Sequence, residues 1–227
     1  MSAPNRFPSG LSTNSKNTPL GNYPYPANYN AMVEYVNDYV TLIGTDYTVS
    51  GTSSTFALTS GLGGLAIITP GGTTTATSAY KAAPFLQFNS GKQFWYETRV
   101  QVSSVTAPTA YFGLQSGSSA NDGIWFAMAA GGVVNLISTV GSAATTLAAA
   151  VTTMVSATAV DLGFYYNGTD LLVFVNGALV ARILNPTIGA SATTLTSNIL
   201  SPVFQITPTA TQTITTDGVL ASCEIIR

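Results

Sequence analysis

The chain has 227 residues, a formal net charge of −2, 46% hydrophobic residues and only 7% charged ones. The length suits one generous domain, or one domain with an arm. The charge lies far below the roughly 25% of a typical soluble domain, so Ser, Thr, Asn, Gly and Ala must supply much of the surface. Seven Lys and Arg residues form no basic stripe, which argues against nucleic acid as a partner. No run approaches the ~18 apolar residues of a spanning helix, so no membrane partner is expected. The opening "MSAPNRFPSG" has no apolar core that would mark a secretory signal. A lone cysteine, Cys223, rules out an internal disulfide and reads as a small buried hydrophobe.

In chain order, the first 30 residues carry Pro4, Pro8, Pro19, Pro24 and Pro26. Proline bars both helix interior and central strand, so this segment reads as an extended arm. Phe7, Tyr23, Tyr25 and Tyr29 give it contact area that a purely disordered tail lacks, and they are its candidate partner-binding residues. Tyr29, Met32, Val33, Val36 and Val40 then fall at helical spacing, with Asn28 or Asn30 as N-cap. A short helix is expected there, leading into a strand near Tyr39–Ile43. The arm and helix form a first unit, 1–44.

Residues 45–227 read as a β-sandwich domain. Strands are expected at Tyr47–Val49, Thr55–Leu58, Leu65–Thr69, Phe85–Phe88, Gln93–Val102, Thr109–Gln115, Gly123–Met128 and Val133–Ser138. Five more follow at Val160–Tyr166, Leu171–Val175, Ala178–Ile183, Pro202–Thr207 and Gly218–Ile226. Turn signals such as "PGG", "NSGK", "AAGG" and two Asn-Gly pairs separate them. The Ala/Thr-rich "GSAATTLAAAVTTMVSATAV" reads as strand and loop, because Thr and Val outnumber good helix formers. The fold class expected is all-β, an antiparallel two-sheet sandwich of jelly-roll type with an extended N-terminal arm.

In "KQFWYETRVQV" the alternation is clean: Phe94, Tyr96, Thr98 and Val100 point one way, and Trp95, Glu97, Arg99 and Gln101 the other. Glu97 and Arg99 read as a same-face charge pair. The segment "DLGFYYNGTDLLVFVNGALVARI" (161–183) instead is apolar on nearly both faces. One face of each sheet in a sandwich is internal, so Tyr165, Leu172, Phe174 and Leu179 need a second cover. They are the candidate self-association residues.

Candidate chemistry is sparse. The chain has no histidine, which removes the usual general base and the Ser-His-Asp and Cys-His systems. One cysteine cannot make a zinc site. Glycoside hydrolysis needs two carboxyl groups about 5–10 Å apart, and no two of the nine acids share a strand at same-face spacing. The chain is therefore expected not to be an enzyme and to need no cofactor and no metal. Asp122 in "ANDGI" and Asp170 in "NGTD" read as turn residues. Trp125, close to Asp122, is the single aromatic-plus-loop constellation that could contact a glycan, although its neighbours Ile124 and Phe126 also allow it to be packing.

Taken together, "GGLAIIT", "KQFWYETRV", "NDGIWF" and "GFYYNG…FVNG" resemble, in order and spacing, a group of head-associated proteins of tailed bacteriophages. The resemblance spans residues 45–227. It implies a laminin-G/concanavalin-like β-sandwich and a capsid decoration, or cement, protein. Its partners would be the major capsid protein and other copies of itself, as dimer or trimer. Its place would be the outer surface of the virion's capsid, after synthesis in the host cytoplasm. The alternative reading is a carbohydrate-binding, lectin-like module of a phage appendage.

Overall fold

The pleat of residues 94–102 organises everything around it. In the computed structural model, which describes residues 32–39, 46–59, 64–72, 76–81, 83–117, 121–209 and 211–224, Phe94, Tyr96, Thr98, Val100 and Val102 are all buried inward. Trp95, Glu97 and Arg99 take the opposite face, as period-two side chains must.

Every regular element among the described residues is a strand. The first seven are β1 (Met32–Asn37), β2 (Tyr47–Ser50), β3 (Thr55–Thr59), β4 (Leu65–Thr69), β5 (Thr77–Lys81), β6 (Phe94–Val102) and β7 (Thr109–Gln115). Next come β8 (Gly123–Met128), β9 (Val133–Val140), β10 (Ala143–Thr153), β11 (Val160–Tyr166), β12 (Leu171–Val175) and β13 (Ala178–Ile183). The last four are β14 (Ile188–Gly189), β15 (Leu195–Thr196), β16 (Ser201–Thr207) and β17 (Ile214–Glu224). Sheet I runs β13-β12-β11-β6-β17-β4-β3, with β1 also paired to β17; sheet II runs β10-β9-β8-β7-β16-β5-β2. Both are antiparallel throughout. The chain is thus the all-β, two-sheet sandwich of jelly-roll/concanavalin type that its turns and alternation announce.

The helix expected around Met32–Val40 does not form: Met32–Asn37 is β1, antiparallel to the C-terminal half of β17. Val33 and Tyr35 pack on the core while Glu34 and Val36 stay exposed. That is period two, and an open strand edge outweighs the weak helical spacing. Tyr35 Oη and Tyr39 Oη both lie within hydrogen-bonding distance of Tyr47 Oη, at 3.1 and 3.2 Å, tying β1 to β2 of the other sheet. Other strands differ from expectation, among them the two-residue β14 and β15, which the sequence did not announce. Phe85–Phe88 makes only an isolated bridge, Leu86 to Leu200, and β5, in the weakly apolar "TSAYK", is an additional strand.

Between the sheets lies an aromatic stack. Phe88 and Phe94 stand 4.1 Å apart, Tyr96 and Phe164 5.1 Å, and Phe164 reaches Phe126 of sheet II at 6.2 Å. The two Asn-Gly turns differ. Asn176 and Gly177 both have positive φ, 49° and 77°, the geometry of a two-residue type I′ hairpin. Asn167 instead opens a four-residue loop, its Oδ1 accepting the N–H groups of Thr169 and Asp170 at 2.9 and 2.8 Å. Asp170 then accepts hydrogen bonds from Arg182 and from the N–H of Asn185, and these partners hold its carboxyl below the usual carboxylate range.

Part of the apolar second face of the 161–183 meander is buried within the chain. Trp95 (1% exposed), Phe174 (1%) and Tyr165 (6%) form a second cluster on the outward face of sheet I, flanked by Leu172 and Leu220. The indole lies 5.5 Å from the Tyr165 ring and 6.0 Å from Phe174. Of the four residues expected to drive self-association, Tyr165 and Phe174 are already buried, Leu172 is half-buried and Leu179 is 42% exposed. Phe174→Ala should therefore cost the isolated chain about 3–5 kcal/mol, the range for deleting a buried Phe. A urea titration that finds under about 1 kcal/mol would mean this cluster is not packed in the free protein.

Candidate functional site

Sheet II presents a shallow cleft on its outward face. Register places Val203, Gly113, Trp125 and Ile137 in one row across four strands. Gly123, which pairs with Gln115 and Thr139 in the adjoining row, has no side chain, and the Trp125 indole lies over it. A Cβ on Gly123 would land inside the indole ring, and one on Gly113 would meet the Trp125 backbone. Tyr111 stands edge-on to the indole, with centroids 5.9 Å apart and planes at 76°. Gln115 closes the other side, its amide oriented by donating to the Gly117 carbonyl at 2.9 Å. Thr139 and Ala144 complete one end, Val203 and Gln205 the other, around a cavity of about 210 Å³. All eight lining residues are uncharged, and Trp125 is 5% exposed.

Trp125 thus sits in the cleft, on the face opposite Ile124 and Phe126, both of which enter the core. Asp122 does not line the cleft. Its Oδ1 accepts from the Gly141 N–H at 2.9 Å and from Thr196 Oγ1 at 3.3 Å, pinning the turns beside β8 and β15. Phe7, Tyr23, Tyr25 and Tyr29 lie outside the described residues. Tyr111, Gln115 and Gln205 belong to the cleft although no sequence motif marks them. Their signal is the outward parity of "TAYFGLQ" and "SPVFQIT", and only strand adjacency makes it a site.

Charge gathers on the other side of the molecule. On the outward face of sheet I, Arg99 reaches Asp161 at 3.1 Å and Asp217 at 3.5 Å. It does not pair with Glu97, as same-strand spacing suggested, because Asp161 is its direct cross-strand partner and closer. A bulge at Asp217 in β17, where register shifts between Thr216 and Gly218, brings that carboxylate into the recess. Glu97 lies between Gly163 and Leu220 in the pairing. Burial, with Asp161 second, pushes its carboxyl up to about 7. Glu97 thus shares its recess with the two aspartates that Arg99 holds.

No protein-family profile and no curated protein sequence matches the chain. Solved structures do share its fold. An endo-1,3-beta-glucanase from Streptomyces sioyaensis superposes with a TM-score of 0.60 at 10% identity, covering 87% of this chain and 98% of that one. A beta-1,3-1,4-glucanase (lichenase) derived from a mouse hindgut metagenome gives 0.57 at 12%, covering 83% and 98%. The carbohydrate recognition domain of Emp46p, in potassium-bound form, gives 0.57 at 11%, covering 82% and 94%. These likenesses establish the concanavalin-like sandwich. They also overturn the expectation that the chain is not an enzyme, since glucanases use this sandwich at nearly full length. The premise of that expectation, acids spaced along one strand, misses a recess that draws Glu97, Asp161 and Asp217 from three strands.

The raised Glu97 carboxyl has a definite pH signature. The folded chain holds this proton to a higher pH than the unfolded chain, so stability declines as pH rises from about 4.5 to about 7 and is level above that. Glu97→Gln should stabilise the protein at pH 8 by on the order of 2–3 kcal/mol and leave it unchanged at pH 4. Thermal melts of both proteins across this range check it, and parallel profiles would show that Glu97 titrates normally.

Proposed function

We propose that the chain is a carbohydrate-binding protein whose ligand seats in the cleft over Trp125 and Tyr111. The observation that carries the reading is the composition of that cleft: two aromatic rings, two amides and a threonine hydroxyl around one cavity, with no charge. A sugar ring offers C–H faces to aromatic surface and hydroxyls to groups that both donate and accept, which Gln and Thr do. The carbohydrate recognition domain and the two glucanases of the same fold support it as precedents for sugar ligands on this scaffold. Trp125, lying over Gly123, sets the floor, Tyr111 is a wall, and Gln115, Gln205 and Thr139 read hydroxyls. A glycan array followed by calorimetry tests the reading. Tyr111→Ala and Gln205→Ala should each weaken the best ligand at least tenfold while the melting temperature stays within a few degrees. Undiminished binding by both variants would remove the cleft from the function.

A second reading rests on a different observation, the ordered motifs that resemble those of phage head proteins, together with the 7% charge. It makes the chain a cement protein on the outer capsid surface, with the residues ahead of β1 as an arm, the major capsid protein and its own copies as partners, and Phe7, Tyr23, Tyr25 and Tyr29 as the arm's contacts. Purified protein should then co-sediment saturably with undecorated, expanded phage heads, and deletion of residues 1–30 should abolish this. Failure of the full chain to sediment with heads would dismiss the cement role.

A further inference from the structure

Resting on the carbohydrate reading, we infer that the cleft takes a single, uncharged sugar unit, held as a terminal residue, and not a stretch of chain. Three observations on the cleft and its surroundings lead there.

The first is size. About 210 Å³ is below the roughly 300–1,000 Å³ of ordinary small-molecule sites, so one ring fills it.

The second is closure. A chain crossing the sheet would have to continue from Val203 and Gln205 onto their partners on β5, Tyr80 and Ser78. Neither lines the cavity, and the Ser78 hydroxyl is 2.6 Å from that of Ser50, so it is already engaged. Along the strand direction, Tyr111 and Gln115 flank Gly113 on the same strand and face, two residues to either side. The tilted Tyr111 ring stands as a wall on one of those sides. The cavity therefore admits one ring beside the indole, between Tyr111 and Gln115.

The third is charge. The five central strands of sheet II turn residues such as Tyr111, Gln115, Trp125, Thr139, Val203 and Gln205 outward, together with the other positions of the same parity. None is Asp, Glu, Lys or Arg. Three of the four ion pairs among the described residues, those of Arg99 and of Arg182, lie on sheet I or its hairpin, and the fourth joins Lys81 to Asp46 at the end of β5. A uronate, sialate or sulfated sugar entering the cleft would lose water around its charge with no cation to replace it. A neutral ring loses only hydroxyl solvation, which two amides and a threonine restore.

The experiment uses the full chain. Calorimetric titration is run with glucose, galactose, mannose and N-acetylglucosamine, with their linear oligomers to the hexamer, and with glucuronic and galacturonic acids. The expected result is one neutral monosaccharide binding within threefold of its own oligomers, its uronic counterpart at least tenfold weaker, and Gln205→Ala weakening monosaccharide and oligomer equally. Affinity that climbs tenfold or more with chain length would overturn the single-unit claim while leaving carbohydrate binding intact. Preference for the acid would overturn the neutral claim in the same way. Absence of binding to every sugar would overturn the inference together with the reading on which it rests.

Discussion

The two-residue period of a strand, locked in phase by the aromatic stack between the sheets, is the constraint on which the rest of this molecule depends. Once Phe94, Tyr96, Phe164 and Phe126 face one another across the core, no neighbour on those strands has a choice of side. Trp95 and Tyr165 must be outward, and they meet because their strands pair in register. Glu97, Arg99 and Asp161 must be outward in the next rows. On sheet II, burying Phe112 and Phe126 sends Tyr111 and Trp125 outward beside each other. A one-residue slip would exchange each of these sets with the core, so the stack specifies both outer faces as well as the interior.

The two outer faces answer the same demand differently. Sheet I fills its excess apolar surface with side chains, closing Trp95, Tyr165 and Phe174 into a second cluster, and devotes the neighbouring rows to charge. Sheet II removes a side chain instead: Gly123 lets an indole lie down on the backbone, leaving a neutral hollow at its edge. The bulge at Asp217 belongs to the same logic. Before it, Ile214 and Thr216 face inward; after it, Val219, Ala221 and Cys223 do. The bulge reverses the parity of β17, so one strand serves the core at both ends while its extra residue points into the Arg99 recess.

Much of this was legible in the sequence, and the limit is physical. The alternation of "KQFWYETRV" and the Asn-Gly at 176–177 are local signals, and each sets a local outcome, a two-faced strand and a type I′ turn. The 161–183 meander announced that its second face needed cover, but apolarity has no direction, and a cover from the same chain reads the same as one from another subunit. β1 was misread because Tyr29, Met32, Val33, Val36 and Val40 satisfy helical spacing while Val33 and Tyr35 also satisfy period two; the free edge of β17 decided between them. β5 gave little signal because Thr77, Ser78 and Ala79 are buried by position, with little apolar bulk. Trp125 could be singled out, yet Asp122, close in sequence, proved a turn anchor, whereas Gln205, eighty residues away, lines the cleft.

That contrast bears on how sites of this kind are to be sought in chains of low charge. A sandwich assembles its outer faces from strands that are adjacent in space and distant in sequence, so a site there is a row across the sheet, one residue from each strand. The row Val203–Gly113–Trp125–Ile137 carries no motif in any of its four strands, and its glycine at 113, like the one at 123 in the adjoining row, would be read along the chain as a weak point in a strand. Across the sheet, the one at 123 is the reason an indole can lie flat. The acids show the same thing: Glu97, Asp161 and Asp217 fail every spacing rule along the sequence and still line one recess with Arg99, which pairs with the two aspartates. The absence of a catalytic or binding pattern along any single strand of such a fold is therefore weak evidence against a site, because period two and antiparallel pairing place the relevant spacing at right angles to the chain.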